Sequence, residues 1–237
     1  MTLKQYKKHF VTERGFRNFQ WVLDGVLARS SQPNYQEIDG KHDFGFLQAD
    51  FLKQKKITCV ISSNEYGIPE HSKKLLATHG ISYSHYKLED RRALKPEQLV
   101  AAAEIIEGNR KRGATLVYCG FGQGRTGTIV AAWAVLKHMN LTPAALSGFC
   151  NYTNLRSEFG VEEQNQVNAI RAAANLQEDL TNLQQDLGTA ASSGGFFGGG
   201  GGGGPSGLGL PDDMSEPAFK FANFSFDDDD DDTPPIF

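Results

Sequence analysis

Hydrophobic and polar positions recur along this chain at spacings that mark out its elements. Trp21, Val22 and Leu23 form one short apolar run and Val26, Leu27 and Ala28 another, with Asp24-Gly25 between them. That pattern predicts a tight β-hairpin, because an Asp-Gly pair supplies the positive φ its turn requires. Arg29 to Pro33 reads as a loop. A helix carrying Phe46, Phe51 and Leu52 follows, then a strand from Ile57 to Ile61 with Cys59 as a core residue. Glu70 to His79 reads as a helix closed by Gly80, and Ile81 to Leu88 as a strand. Leu99, Ala102, Ile105 and Ile106 recur at helical spacing, which predicts a helix over Pro96 to Asn109. Thr115 to Tyr118 is β-branched, aliphatic and aromatic, as suits a buried strand. From Thr126 to about Asn140 the chain reads as a helix with an almost uniformly apolar middle. Thr142-Pro143 opens another by a capping residue and a proline at the first helical position. Val161 to Leu187 is the last helical stretch. Strands alternating with helices of about 10 to 15 residues predict an α/β protein, a central and largely parallel sheet flanked by helices.

The two ends of the chain read differently. Residues 1–15 are basic and polar and read as a loose arm or a short helix. Leu176, Leu180, Leu183 and Leu187 step by four, three and four, a narrow heptad seam. It suits a helix packing back on the body, or a short coiled coil. A monomer is expected, since fewer than three heptads are present. Beyond Gly188 the composition changes to glycine, then proline, serine and aspartate, and Gly198 to Gly204 is an unbroken glycine run. Such a segment buries too little apolar surface to fold, so 188–237 is expected to be a disordered, glycine-rich and acidic tail.

Charge sharpens this division. Up to Ala190 there are 23 Lys and Arg against 19 Asp and Glu, whereas from Ala191 onward there is one Lys against nine acids. A mildly basic body therefore carries a strongly acidic tail. Phe219, Phe221, Phe224 and Phe226 precede six consecutive Asp residues, Asp227 to Asp232. This reads either as a docking peptide for a protein partner or as solubilising sequence, and the polyaspartate is also expected to compete weakly with anionic substrates. Three cysteines, without metal spacing or a disulfide framework, fit a reducing intracellular compartment. A cytoplasmic location, with the nucleus also open, is the expectation, and neither metal nor other cofactor is expected. MTLKQYKKHF lacks an apolar signal region and no run approaches a membrane span, so no membrane association is expected, nor a nucleic-acid partner.

The chemistry concentrates in LVYCGFGQGRTGT, Leu116 to Thr128. A strand, a loop with glycine at every second position (Gly120, Gly122, Gly124) and a helix N-terminus together build an anion cradle of inward-pointing N–H groups. Cys119 at its entrance is placed as a thiolate nucleophile, and Arg125 at its exit can grip two phosphate oxygens. Two other readings compete. Gly122, Gly124 and Gly127 spell the dinucleotide pattern, but that reading wants an acid about 20 residues on, and the next carboxylate is Glu158. The bare spacing Cys-x5-Arg also occurs at Cys150 and Arg156. There the loop has no glycine and no preceding strand, so Cys150 reads as a small buried hydrophobe.

VYCGFGQGRTGT resembles the signature loop of the cysteine-dependent protein tyrosine phosphatases. With NFQWVLDGVLARSSQP and EQNQVNAI, the chain from Phe16 to Ala174 resembles the atypical dual-specificity branch, and its small VHZ-type members in particular. The resemblance implies a phosphatase domain over 1–187, with a core of about 16–174 followed by a C-terminal helical extension. It implies a phosphoprotein substrate hydrolysed through a phosphocysteine on Cys119, with phosphotyrosine and phosphoserine or phosphothreonine both open. The backbone of Gly120, Phe121, Gly122, Gln123, Gly124 and Arg125, with the Arg125 side chain, would hold the phosphate. Thr126 would bond the sulfur, with ordinary helix capping as the other reading of its hydroxyl. Asp90, in HYKLEDRRALKPEQL, would be the general acid, with Glu89 as its rival one residue away. Gln164 aligns with a glutamine near the site, though EEQNQ offers two choices. The family usually has His before the nucleophile, where this chain has Tyr118, and a catalytically weak phosphate-binding module is the rival reading. No Lys or Arg lies between Cys119 and Arg125, which argues against inositol lipids; an RNA 5′-phosphatase is a more distant alternative.

Overall fold

The glycine loop sits at the C-terminal end of the central strand of a five-stranded sheet. In the computed structural model, which describes residues 2–193 with side chains through 185, the strand order is β3-β4-β7-β5-β6. β3 (Gln20–Leu23) pairs antiparallel with β4 (Leu27–Ser31). β4 then pairs parallel with β7 (Ala114–Cys119), β7 with β5 (Ile57–Ser62), and β5 with β6 (Ser82–His85). Ser31 lies opposite Cys119, and Ser62 opposite both Tyr118 and His85. The parallel strands therefore end at one level, and the loops that follow them gather along one sheet edge, where α/β folds place their ligands.

Every residue of β7 is buried, as a central strand covered on both faces requires. Its side chains alternate between two apolar clusters. Val117 faces α3 (Pro96–Asn109), α4 (Gly124–Trp133), α6 (Tyr152–Phe159) and α7 (Gln164–Ser193), which contribute Leu99, Ile106, Ile129, Val130, Leu155, Phe159, Val167 and Ile170. Leu116 and Tyr118 face α1 (Phe46–Gln54) and α2 (Glu70–Thr78), which contribute Phe51, Leu52 and Leu76. α4 runs on as a π-helical turn, Ala134–His138, and α5 spans Pro143–Phe149. No helix among the described residues is long and apolar enough to cross a membrane.

Several boundaries differ from the sequence reading for physical reasons. The hairpin turn has three residues, Asp24 to Val26, with Gly25 at φ +69°. Arg29 to Ser31 continue β4 instead of forming a loop, because β7 pairs with them and their polar side chains all find partners. Ser31 Oγ, for example, accepts from the Arg17 N–H at 2.9 Å and donates to the Gln32 carbonyl at 2.8 Å. The strand expected over Ile81 to Leu88 is regular only over Ser82–His85, although Tyr86 and Leu88 still donate to the Ser62 and Asn64 carbonyls. The basic arm is neither loose nor helical. It carries a small hairpin, β1 (Thr12–Glu13) with β2 (Phe16–Arg17), and is tied down by Lys4 and Tyr6 N–H bonds to the Val22 and Glu158 carbonyls. The last helix starts at Gln164, not Val161. It packs on the body through Val167, Ile170, Ala173 and Ala174, whereas Leu180 and Leu183 of the seam are exposed. The helix also runs on to Ser193, into the segment expected to be a disordered tail from 188. Leu187 as a seam residue and the rest of the tail, 194–237, lie outside the residues so described.

Candidate active site

Cys119 closes β7 and is buried at the floor of a cleft of about 280 Å³. The loop leaves the strand, turns at Gly122 with φ +85°, and enters α4 at Gly124. A side chain at Gly122 would be strained in that conformation and would collide with the Ser30 carbonyl. Gly127 matters for a different reason. A Cβ there would meet the Phe159 carbonyl, so its role is to let α4 lie against the end of α6. Among the described residues nothing accepts from the N–H groups of Phe121, Gly122 and Gln123.

Arg125 reaches into the same cleft from the first turn of α4. One terminal nitrogen donates to the Leu88 carbonyl at 2.9 Å and lies 2.5 Å from Asp39 Oδ2; the other lies 3.1 Å from Asp90 Oδ1. Burial opposes its charge, but Cys119, Asp39 and Asp90 outweigh that and hold the guanidinium above its ordinary pKa. Asp90 stands in the loop after β6, lines the cleft, and has a side chain 71 % exposed to solvent. Its neighbour Glu89 turns outward to Arg92, at 3.5 Å. Of these two neighbours it is thus Asp90 that meets Arg125 and lines the cleft with Cys119. Arg91 lines the cleft at φ +60°, and Arg92 does not.

Thr126 is buried and, among the described residues, its hydroxyl makes no hydrogen bond, so the bond to the Cys119 sulfur expected of it is not formed. The helix cap is Gln123, without a side-chain bond, so Thr126 does not cap α4. Behind the nucleophile, the Tyr118 ring is buried and meets His42 edge-on, with its hydroxyl 2.9 Å from His42 Nε2. Burial pulls the His42 pKa down, which keeps the imidazole neutral. Its Nδ1 lies 2.8 Å from the Gly40 carbonyl, which can only accept, so Nδ1 carries the proton and Nε2 accepts from Tyr118. Burial raises Tyr118 well above the ordinary tyrosine value, consistent with a phenol that donates and stays protonated.

The cleft mouth is part aromatic and part charged. Phe121 packs against Phe10 of the arm at 5.7 Å and Tyr35 at 6.0 Å, with the Lys8 ammonium 5.0 Å above the Phe121 ring. Glu37, Asp39, Asp90 and Glu162 line it as well. Glu162 Oε2 accepts from the Gly124 N–H at 3.0 Å.

Gln164 is a correction. It reaches along α7 to Asn168 and does not line the cleft, whereas Gln166 is fully buried, accepts from the Glu162 and Glu163 N–H groups and donates to the Arg92 carbonyl. Two residues along a helix is about 200° of rotation, so only one of the two glutamines can face the loop. Arg156 packs on Tyr152 at an exposed helix surface, away from the cleft. The sequence reading missed Asp39, Glu162 and Arg29. Asp39 sits in a polar loop with no periodicity to mark it. Arg29 carried a signal, an arginine at the end of an apolar run, once that run is read as continuing strand. Among the described residues no group of three or more His, Cys, Asp or Glu side chains comes together to hold a metal ion.

Residues 43–139 match the family model described as "Tc-R-P: Polymorphic toxin system, DSP-PTPase phosphatase". Among solved structures the chain is similar to Tk-PTP in its active form, with 23 % identity, a TM-score of 0.48, and coverage of 64 % of this chain and 93 % of that one. It is similar to kinase associated phosphatase, at 16 % identity and TM-score 0.49, with coverage of 64 % and 87 %. It is also similar to the core catalytic domain of a PP-IP phosphatase from S. cerevisiae, at 17 % identity and TM-score 0.48, with coverage of 72 % and 93 %. The matched segment runs from the approach to α1 through the Asp90 loop, β7 and the glycine loop to the end of the α4 helix. It is this segment, with the cleft residues Asp90, Cys119 and Arg125, that matches the dual-specificity and protein tyrosine phosphatase model.

Proposed function

We propose that this protein is a phosphatase of the atypical dual-specificity branch, which hydrolyses phosphoprotein monoesters, phosphotyrosine first, through a phosphocysteine on Cys119. The observation that carries this is the meeting of Asp90 and Arg125, 3.1 Å apart, from different elements above the cleft floor that holds Cys119. The Cys119 thiolate attacks phosphorus while Arg125 and the loop N–H groups hold the equatorial oxygens; such electrostatic positioning is most of what phosphoryl transfer asks of a protein. The P–O bond to the leaving group breaks, and that oxygen takes the proton of Asp90. Water then attacks the phosphocysteine, Asp90 takes a proton from it, and the thiolate departs into the field of Arg125, which sits beside it in the cleft. The exposure of Asp90 suits an acid that must meet both a leaving group and water.

The mouth supports a singly phosphorylated protein over a polyphosphorylated ligand. Glu37, Asp39, Asp90 and Glu162 would repel further phosphates, and Phe10, Phe121 and Tyr35 offer apolar wall to an aromatic ester. Turnover of an aryl phosphate in the presence of a chelator tests the reading. It should be abolished by Cys119→Ser and blocked by vanadate. Binding of phosphopeptide without turnover would mean a phosphate-binding module instead.

A further inference from the structure

Arg29 is buried to 1 % exposure in β4, and no ion pair among the described residues includes it. Burial lowers its pKa to about 10, against the pull of Tyr6, Cys119 and Glu162, so it remains a cation at neutral pH. A buried charge is costly unless its donors are satisfied. Here all three nitrogens bond to backbone carbonyls. Nε and Nη2 donate to the Gly122 carbonyl at 3.1 and 2.7 Å, Nη2 also to the Gln123 carbonyl at 3.2 Å, and Nη1 to the Phe159 carbonyl at 2.5 Å. The Tyr6 ring covers the guanidinium at 4.1 Å, and its hydroxyl donates to Gln123 Oε1 and accepts from Asn18.

The direction of these bonds matters. In a trans peptide the C=O and the next N–H point oppositely. Holding the Gly122 carbonyl against Arg29 therefore turns the Gln123 N–H away from it, toward the cleft that Gln123 lines, while the Gly124 N–H behind the Gln123 carbonyl meets Glu162 Oε2 at the same mouth. We propose that Arg29 is a positioning residue of the phosphate cradle: it clamps the outward carbonyls of the loop so that the N–H groups face a bound phosphoryl oxygen, and its charge adds to the field there. The inference rests on the cleft being a phosphate site. It explains why an arginine stands in a buried strand with no carboxylate partner, and why the basic arm is folded down: Tyr6 seals the clamp from water.

The test is tungstate binding by calorimetry on the full chain, which needs no turnover, with kcat/KM for an aryl phosphate measured per iodoacetate-titrated site. Arg29→Lys keeps the charge but cannot span two carbonyls, and should raise the tungstate Kd about 10-fold. Arg29→Met should raise it about 100-fold, on the scale of losing an oxyanion-hole donor, with kcat/KM per site falling in parallel. Arg29→Lys carries the test alone if Arg29→Met does not fold. A merely structural arginine would lower the number of binding sites or the Tm while the remaining sites kept wild-type affinity and kcat/KM, and that result overturns the proposal. If wild-type protein binds tungstate tightly but turns nothing over, the enzyme reading fails and the affinity ratio still decides the clamp. If wild-type protein does not bind tungstate, both fall together.

Discussion

The chain contains the spacing Cys-x5-Arg twice, and the two copies have nothing else in common. Cys119 ends a buried strand, its loop turns through Gly122 at positive φ, and Arg125 points into a cleft between two carboxylates. Cys150 sits at the junction of α5 and α6, fully buried among apolar side chains, and Arg156 lies on an exposed helix surface. The N–H groups differ in the same way. Around Cys150 they are used up locally: Cys150 and Asn151 donate to Leu146 and Phe149, and Asn154 donates to the Asn151 side-chain cap. Around Cys119 the loop carbonyls are held from outside, which leaves N–H groups for an anion. A cradle therefore depends on what grips the far side of the loop as much as on the spacing of its two reactive residues.

Exchanging each cysteine is the largest way to separate the copies. Cys119→Ser should cut turnover by on the order of 10⁴-fold or more while leaving the Tm near wild type. Cys150→Ser should leave kcat per folded molecule unchanged and cost about 1–3 kcal/mol of stability, because a hydroxyl is buried among apolar groups. Comparable activity losses in both would erase the distinction. The acid comes next. Asp90→Asn should lower kcat on a poor leaving group by roughly 10²- to 10⁴-fold, and Glu89→Gln, which faces Arg92, should change it less than about twofold. If Glu89→Gln gives the larger loss, the acid has been assigned one residue out of register.

Glycines give a smaller contrast. Gly122→Ala should destabilise by about 1–3 kcal/mol and weaken anion binding, since its φ of +85° and the Ser30 carbonyl both oppose a side chain. Gly148, in α5 before Cys150, has open space around it, and Gly148→Ala should stabilise by about 0.5 kcal/mol. Chemical denaturation of the two variants decides this. The smallest expected effect concerns His42, whose pKa burial has pulled down. As pH falls through the ordinary histidine value of about 6.5, the unfolded chain takes up a proton before the folded one does. Its contribution to stability is therefore complete above that pH and is lost below it. His42→Gln should flatten the fall in Tm between about pH 7 and 5; an unchanged slope would put the acid sensitivity elsewhere.

Much of this was legible in the chain. The α/β class, the helix over Pro96–Asn109 and the strand–loop–helix around Cys119 follow from periodicity and glycine spacing, which are local properties. Cys150 was separable from Cys119 for the same reason. What was not legible depends on contacts between distant segments. Arg29 to Ser31 look like a polar loop until β7 pairs with them. Tyr118 stands where a family histidine is expected, and the histidine that bonds it, His42, comes from 76 residues earlier in the chain. Choosing between Gln164 and Gln166 needed the start of α7 to within a residue or two, which is where sequence patterns are weakest. Asp39 meets Arg125 only because its loop folds over the sheet edge.

The most direct test of the account is to trap the covalent intermediate. Wild-type protein turning over a labelled aryl phosphate is quenched in acid within the first turnovers, digested, and its peptides are mapped. Phosphate should appear on the peptide containing Cys119 and none on that containing Cys150, with the label accumulating further in Asp90→Asn on an activated ester, whose leaving group needs no acid while hydrolysis still needs the base. Turnover without label on Cys119, or label on Cys150, would contradict it.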